Sequence, residues 1–161
     1  MSFSRAESSA DPAQALFGAA LELLTRREHS QLELRRKLAG KFSDADFEAL
    51  FERLQDLNYQ SDQRFAEVFA RSRVLRGQGP VRIRQELQQR GITSELLSHT
   101  LERLEVDWFA LAQEQLQRKY HSLINMALPR DQQAKERARR QRYLAYRGFP
   151  SDAIRWALDE K

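Results

Sequence analysis

Leu87-Gln88-Gln89-Arg90-Gly91-Ile92-Thr93-Ser94, followed by Leu97, Leu101 and Leu104, reads as a helix end, a turn and a new helix. Gly91 supplies the left-handed cap that returns Ile92 onto Leu87, and the next helix runs from Ser94 to Leu104. The same order of residue types occurs on either side. Upstream it is Leu38, Lys41, Phe42, Ser43 and Asp44, then Phe47, Phe51 and Leu54. Downstream it is Leu144, Arg147, Gly148, Phe149, Pro150 and Ser151, then Ile154 and Leu158. A period of about fifty residues marks stacked supersecondary units, because one such unit cannot bury its own apolar face. Chains of this type present a long surface to a partner in preference to a catalytic pocket.

Each unit reads as three helices. In the first, Leu16, Ala19, Ala20, Leu23, Leu24 and Arg27 share one side of a helix. Ser30 and Glu33 form a capping box that starts a second helix through Leu34 and Leu38, ending near Gly40. A third, capped by Ser43 or Asp44, carries Phe47, Leu50, Phe51 and Leu54 and ends at a left-handed Asn58, with Tyr59 returning on Leu54. The second unit opens at Ser61 or Asp62, with Phe65, Val68, Phe69, Ser72 and Leu75 at helical spacing. Gly77, Gly79 and Pro80 break that helix, and Pro80 suits the first position of the next, held by Ile83 and Leu87. In the third unit Asp107 caps a helix with Phe109, Ala112 and Leu116. A longer connection then passes from His121 to Arg130, and a basic helix from about Asp131 to Tyr146 ends at Gly148. The expected divisions are a flexible tail over 1–12 and repeats over 13–59, 60–105 and 106–161.

With no cysteine, disulfides and thiol chemistry are absent, as suits a reducing compartment. The longest apolar run, Leu16 to Leu21, falls far short of the ~20 residues of a membrane span, so no membrane association is expected and a cytoplasmic location is. Net charge is +4, and its distribution is uneven. Between Arg71 and Arg90 six arginines accompany one acid, Glu86; between Arg130 and Arg147 seven basic residues face Asp131 and Glu136. Such clusters favour polyanions or acidic protein surfaces. Of 27 cations 22 are arginine, the side chain suited to bidentate phosphate or carboxylate contacts; a bias towards arginine codons is the plainer account.

The ordered set of residues resembles the RecX family of bacterial regulators of the RecA recombinase, from about Ala19 to Leu158. It includes Ala20-Leu21-Glu22-Leu23-Leu24, Arg26-Arg27-Glu28-His29-Ser30 with Glu33-Leu34, and Tyr59 with Asp62, Arg64, Phe65 and Ala66. Arg71, Arg73, Gly77, Gly79, Pro80, Ile83, Glu86 and Leu87 follow, then Arg90-Gly91-Ile92 and Arg147-Gly148-Phe149 with Ile154 and Leu158. Asn58 stands where the family usually has glycine, and asparagine also tolerates the left-handed conformation. The resemblance implies an all-α protein, an elongated, curved array of three tandem three-helix repeats. It implies a non-catalytic regulatory protein that binds RecA filaments on single-stranded DNA and suppresses strand exchange, ATP hydrolysis and co-protease activity. DNA repair, homologous recombination and the SOS response would be modulated accordingly. Contact with the DNA phosphate backbone would be weak and sequence-independent, the protein a monomer, and no cofactor is expected.

Two groups of residues are candidates for DNA or RecA contact. Lys135, Arg139, Arg142 and Tyr146 lie at offsets of four, seven and eleven, on one face of the basic helix. Three cations and an aromatic ring offer phosphate contact and a stacking surface. The alternative is a solvated face with Ala134, Ala138 and Ala145 buried behind it. Arg71, Arg73, Arg76, Arg82 and Arg84 form the second group, around glycines that allow close backbone approach or simply make a helix–helix turn. Arg26 to His29 reads as a helix end, where cations suit the dipole. His99 and His121 lack partners at metal-ligand spacing. Trp108 beside Phe109 reads as core, and Trp156 as packing under a neighbouring helix or meeting a partner.

An enzyme is disfavoured, since no glycine-rich phosphate loop, nucleophile–base pair or paired carboxylates in an apolar setting are visible. A tandem helix-turn-helix transcription regulator is the principal rival, with Arg84, Gln85, Gln88 and Gln89 as base readers. A general DNA-coating protein is the third reading.

Overall fold

The computed structural model describes residues 11–159, which form nine α-helices and no strand. The expected tail lies, over residues 1–10, outside the described residues. These helices fall into two compact units, divided after Phe65.

In the first unit α1 (Pro12–Arg26), α2 (Gln31–Leu38) and α3 (Phe47–Asp56) pack together, joined by the first turn of α4 (Asp62–Leu75). Helix α1 starts earlier than the expected tail boundary. Asp11 accepts the Ala13 amide, and Pro12 occupies a first-turn position where a missing N–H has no consequence. Leu16, Phe17 and Ala20 form its buried stripe with Leu23 and Leu24 half-buried, and Arg27 falls past its end. They meet Leu34, Leu38, Phe47, Leu50, Phe51 and Leu54 in one core.

The capping box of α2 is present. Ser30 Oγ accepts the Glu33 amide at 3.1 Å, and Glu33 accepts the Ser30 amide at 3.2 Å. Arg27 reaches both carboxylate oxygens of Glu33, at 3.1 and 3.0 Å. His29 is 1% exposed, its Nδ1 3.0 Å from the Arg27 carbonyl and its Nε2 3.3 Å from Lys37 Nζ. Buried Gln60 donates to the His29 carbonyl and to Asp62, and Arg64 pairs with Glu28 at 2.6 Å. The run from Arg26 to Ser30 is therefore a polar joint that ties the α1–α2 corner to the start of α4.

Helix α3 is capped by Asp46, whose carboxylate accepts the Ala49 amide at 3.0 Å, and not by Ser43 or Asp44. A turn from Phe42 to Ala45 moves the helix start onward. Asn58 takes the left-handed conformation (φ +58°), and the Tyr59 amide returns to the Leu54 carbonyl at 2.8 Å while its ring stays half-exposed.

The second unit contains the rest of α4, then α5 (Pro80–Gln89), α6 (Ser94–Arg103), α7 (Trp108–Tyr120), α8 (Arg130–Arg147) and α9 (Ser151–Asp159). The buried side of α4 is Phe65, Ala66 and Ala70; Val68 and Leu75, expected beside Phe65 and Phe69, are exposed. Small alanines and the half-buried Phe69 supply the contact, so apolar spacing alone misplaces the face. Ile83, Leu87 and Leu97 are fully buried, and Ile92 folds back so that its amide reaches the Leu87 carbonyl. Ala112, Leu116, Leu144, Phe149, Ala153, Ile154 and Ala157 form the core between α7, α8 and α9. Phe109 departs from the expected core: it stands 38% exposed, edge-on to Trp156 of α9 with ring centroids 5.8 Å apart, and Trp108 is only half-buried.

Candidate nucleic-acid and protein interface

Helix α8 begins after Pro129, which cannot continue a helix backwards, and stops at Gly148 in the left-handed region (φ +96°). Its inner side is set by Leu144, fully buried, and by Arg140, 6% exposed. Arg140 donates to the Ser122 carbonyl at 2.8 Å and lies 4.5 Å from the Tyr120 ring centre, so it anchors the connection that precedes α8. Lys135, Arg139, Arg142 and Tyr146 all face outward. At 1.5 Å rise per residue they extend over about 16 Å of helix. Arg139 has one long pair, 3.7 Å, with Glu136; Lys135 and Arg142 have no ion pair among the described residues. The solvated-face alternative placed Ala134, Ala138 and Ala145 on the buried side behind this stripe, a side that Arg140 and Leu144 take instead. Ala134 and Ala145 are exposed and Ala138 is half-buried.

The second group divides. Glu86 of α5 holds Arg73 on one carboxylate oxygen (2.8 Å) and Arg82 on the other (3.1 Å), all three largely shielded from solvent. Arg73 and Arg90 each stack a guanidinium on the Phe69 ring, 4.4 and 4.5 Å from its centre, and Arg90 also donates to the Glu86 carbonyl. Arg73 and Arg82, expected to be free for a partner, are thus both engaged by Glu86. Arg84 is half-buried near Ser98, 3.5 Å away. Arg71 and Arg76 remain exposed.

The two groups meet at one point. Gly79 donates to the Arg147 carbonyl at 2.8 Å and Val81 to the Gly148 carbonyl at 2.9 Å, which presses the start of α5 against the end of α8. Any side chain at Gly79 would strike the Gly148 carbonyl. Arg147 reinforces the contact by donating to Gln115 at 2.9 Å and to the Arg76 carbonyl. As a result the Arg82 guanidinium lies over the Tyr146 ring, 5.3 Å from its centre, and Tyr146 is still 75% exposed. A groove of about 390 Å³ opens beside this pair, lined by Val81, Arg82, Gln85, Glu86, Tyr146 and Gly148. Sequence reasoning missed Glu86, Gln115 and Arg147 as the residues that build this corner. The Arg82–Glu86 spacing of four was a readable signal; the partners Arg73 and Gln115, distant in the chain, left none.

Elsewhere the described residues offer less chemistry. No group of three or more His, Cys, Asp or Glu among them is placed to hold a metal ion, and none of their helices is long and apolar enough to cross a membrane. His121 caps α7 in the left-handed conformation. A larger hollow, about 740 Å³, opens beside Phe17, Phe42 and Leu50 in the first unit, but its walls are mainly apolar and contain none of the candidate residues.

Comparison with known proteins gives a consistent assignment. Family models described as the first, second and third three-helix domains of RecX match residues 17–54, 61–101 and 105–158, in that order. The regulatory protein RecX of Halorhodospira halophila is 43% identical over 145 residues, covering 89% of this chain and 86% of that protein. The protein of the same name from Chromohalobacter salexigens is 41% identical, covering 86% and 88%. A crystal structure of RecX from Lactobacillus salivarius superposes with a TM-score of 0.73 over 93% of this chain and 98% of that one; at 22% identity it speaks for the fold alone. Three helical domains matched in sequence order, with relatives above 40% identity over most of their length, make this chain a member of the RecX family of regulatory proteins.

Proposed function

We propose that this protein is a non-catalytic regulator that binds RecA filaments assembled on single-stranded DNA and restrains strand exchange, ATP hydrolysis and co-protease activity. The observation that carries the reading is the ordered match of all three RecX domains across residues 17–158. The outward face of α8 is consistent with it. Lys135, Arg139 and Arg142 supply a row of cations available to phosphates, while Arg73 and Arg82 are paired with Glu86 and shape the surface around Tyr146. Contact made this way is electrostatic and independent of sequence. A sequence-specific transcription regulator, reading bases through Arg84, Gln85, Gln88 and Gln89, is less well supported, because all three domain matches are to RecX and Arg84 is half-buried near Ser98.

The direct test is RecA-dependent ATP hydrolysis on single-stranded DNA with this protein added below equimolar amounts. Slowing is expected. An unchanged rate at every ratio would reject the assignment.

A further inference from the structure

The α5–α8 corner combines features that a row of surface cations does not require. Tyr146 is a large ring left 75% exposed, with the Arg82 guanidinium over one face, 5.3 Å from its centre. Arg82 is itself fixed by Glu86, and Glu86 by Arg73. The groove beside the ring therefore has a carboxylate in its wall whose two oxygens are both occupied by guanidiniums. Arg82 is already paired with that carboxylate, so the groove offers a phosphate no free cation and suits a flat, uncharged group with hydrogen-bonding edges. Gln85 contributes an exposed amide to its rim. The cations that suit phosphates lie outside the groove, at Arg142, Arg139 and Lys135, one, two and three turns back along α8.

We infer that this groove receives one unstacked base of a single DNA strand, packed against Tyr146, while the strand's phosphates follow the α8 cations. The inference rests on the reading that DNA lies on this face, and it adds the kind of nucleic acid recognised. A duplex keeps its bases stacked and cannot supply one to the groove, so the contact discriminates single strands from double strands by shape and stacking. Because every base has a flat face, it does so without sequence preference.

The test compares the full-length protein on two oligonucleotides of equal length, a thymidine strand and an abasic strand with the same phosphates, by fluorescence anisotropy. Wild type is expected to bind the thymidine strand about five-fold or more tightly than the abasic one, as one stacked base provides. Tyr146→Ala should bring the thymidine strand down to the abasic level and leave abasic binding and its salt dependence unchanged. Tyr146→Phe should restore the preference. Equal wild-type affinity for the two strands overturns the inference, as does a preference that survives Tyr146→Ala. If Tyr146→Ala weakens binding to RecA without DNA and leaves both strands unaffected, the groove receives protein and the inference is wrong. RecA ATPase inhibition by wild type is scored separately: its absence rejects the regulatory reading, whereas its presence without base preference rejects only the groove.

Discussion

Gly148 and Arg82 are in such close contact that a methyl group on Gly148 would overlap Arg82 Cβ and lie 2.7 Å from its backbone nitrogen. Gly148 also has φ +96°, where an L side chain is strained by about 1–2 kcal/mol. Gly148→Ala is therefore expected to lower stability by about 2 kcal/mol or more, a melting shift of roughly 4–8 °C in a chain of this size. Gly18, in the middle of α1 with nothing within 4 Å of an added methyl, is the control. Gly18→Ala should raise stability by up to about 1 kcal/mol through helix propensity. Calorimetry of the two variants measures both effects.

Glu86 pairs with two arginines, Arg73 and Arg82, in a largely shielded position. Glu86→Gln leaves those charges without their partner and should cost about 1–3 kcal/mol in urea unfolding. Arg73→Gln should be similarly destabilising, whereas Arg71→Gln, at an exposed position two residues earlier, should stay within about 0.5 kcal/mol of wild type. Equal effects at Arg71 and Arg73 would contradict the structural role given to the second.

Local signals in the sequence carried most of the fold. Ser30 with Glu33, Pro80, Gly91 and Gly148 each specify their own backbone within three or four residues, and each appears where its chemistry requires. Choices among equivalent neighbours were not legible. Ser43, Asp44 and Asp46 can all cap a helix, and the turn at Phe42 and Ala45 selects Asp46. Asp46→Ala should cost about 1 kcal/mol and Asp44→Ala almost nothing in thermal unfolding. At the candidate interface, spacing placed Lys135, Arg139, Arg142 and Tyr146 on one outward face. It could not tell that Arg140 is buried, or that Arg73 shares the carboxylate Arg82 meets four residues on, because those facts depend on residues farther along the chain.

Phosphate contact by the α8 row has a measurable signature. Binding to a single strand weakens with salt in proportion to the number of phosphates neutralised, by about 0.7 in log–log slope for each. Arg139→Gln with Arg142→Gln should therefore flatten the slope by about 1.4. Arg71→Gln with Arg76→Gln tests the exposed remainder of the second group in the same way. A slope unchanged in the α8 double variant removes that helix from DNA contact.

Acid should destabilise the first unit in two stages. Burial lowers the pKa of His29 below its ordinary 6.5, opposed by the Arg27 carbonyl and helped by the positive charges of Arg27 and Lys37, with Glu33 acting the other way. The unfolded chain then binds the proton more readily than the folded one. Stability is full above 6.5, falls as pH drops from 6.5 towards the folded value, and levels off below it. Burial pushes the Glu33 carboxyl up, but hydrogen bonds from Arg27 and the Ser30 amide outweigh it and leave the pKa below the ordinary 4.5. Its contribution is present above 4.5 and is lost as pH falls through the folded value. Urea unfolding at about pH 7.5, 5.5 and 3 should show both steps. His29→Gln, which cannot titrate, should be less stable than wild type at about pH 7.5 and should lose the drop between about pH 7.5 and 5.5. If the variant keeps that drop, His29 is not its source and the neutral ring between Arg27 and Lys37 is the wrong description of this joint.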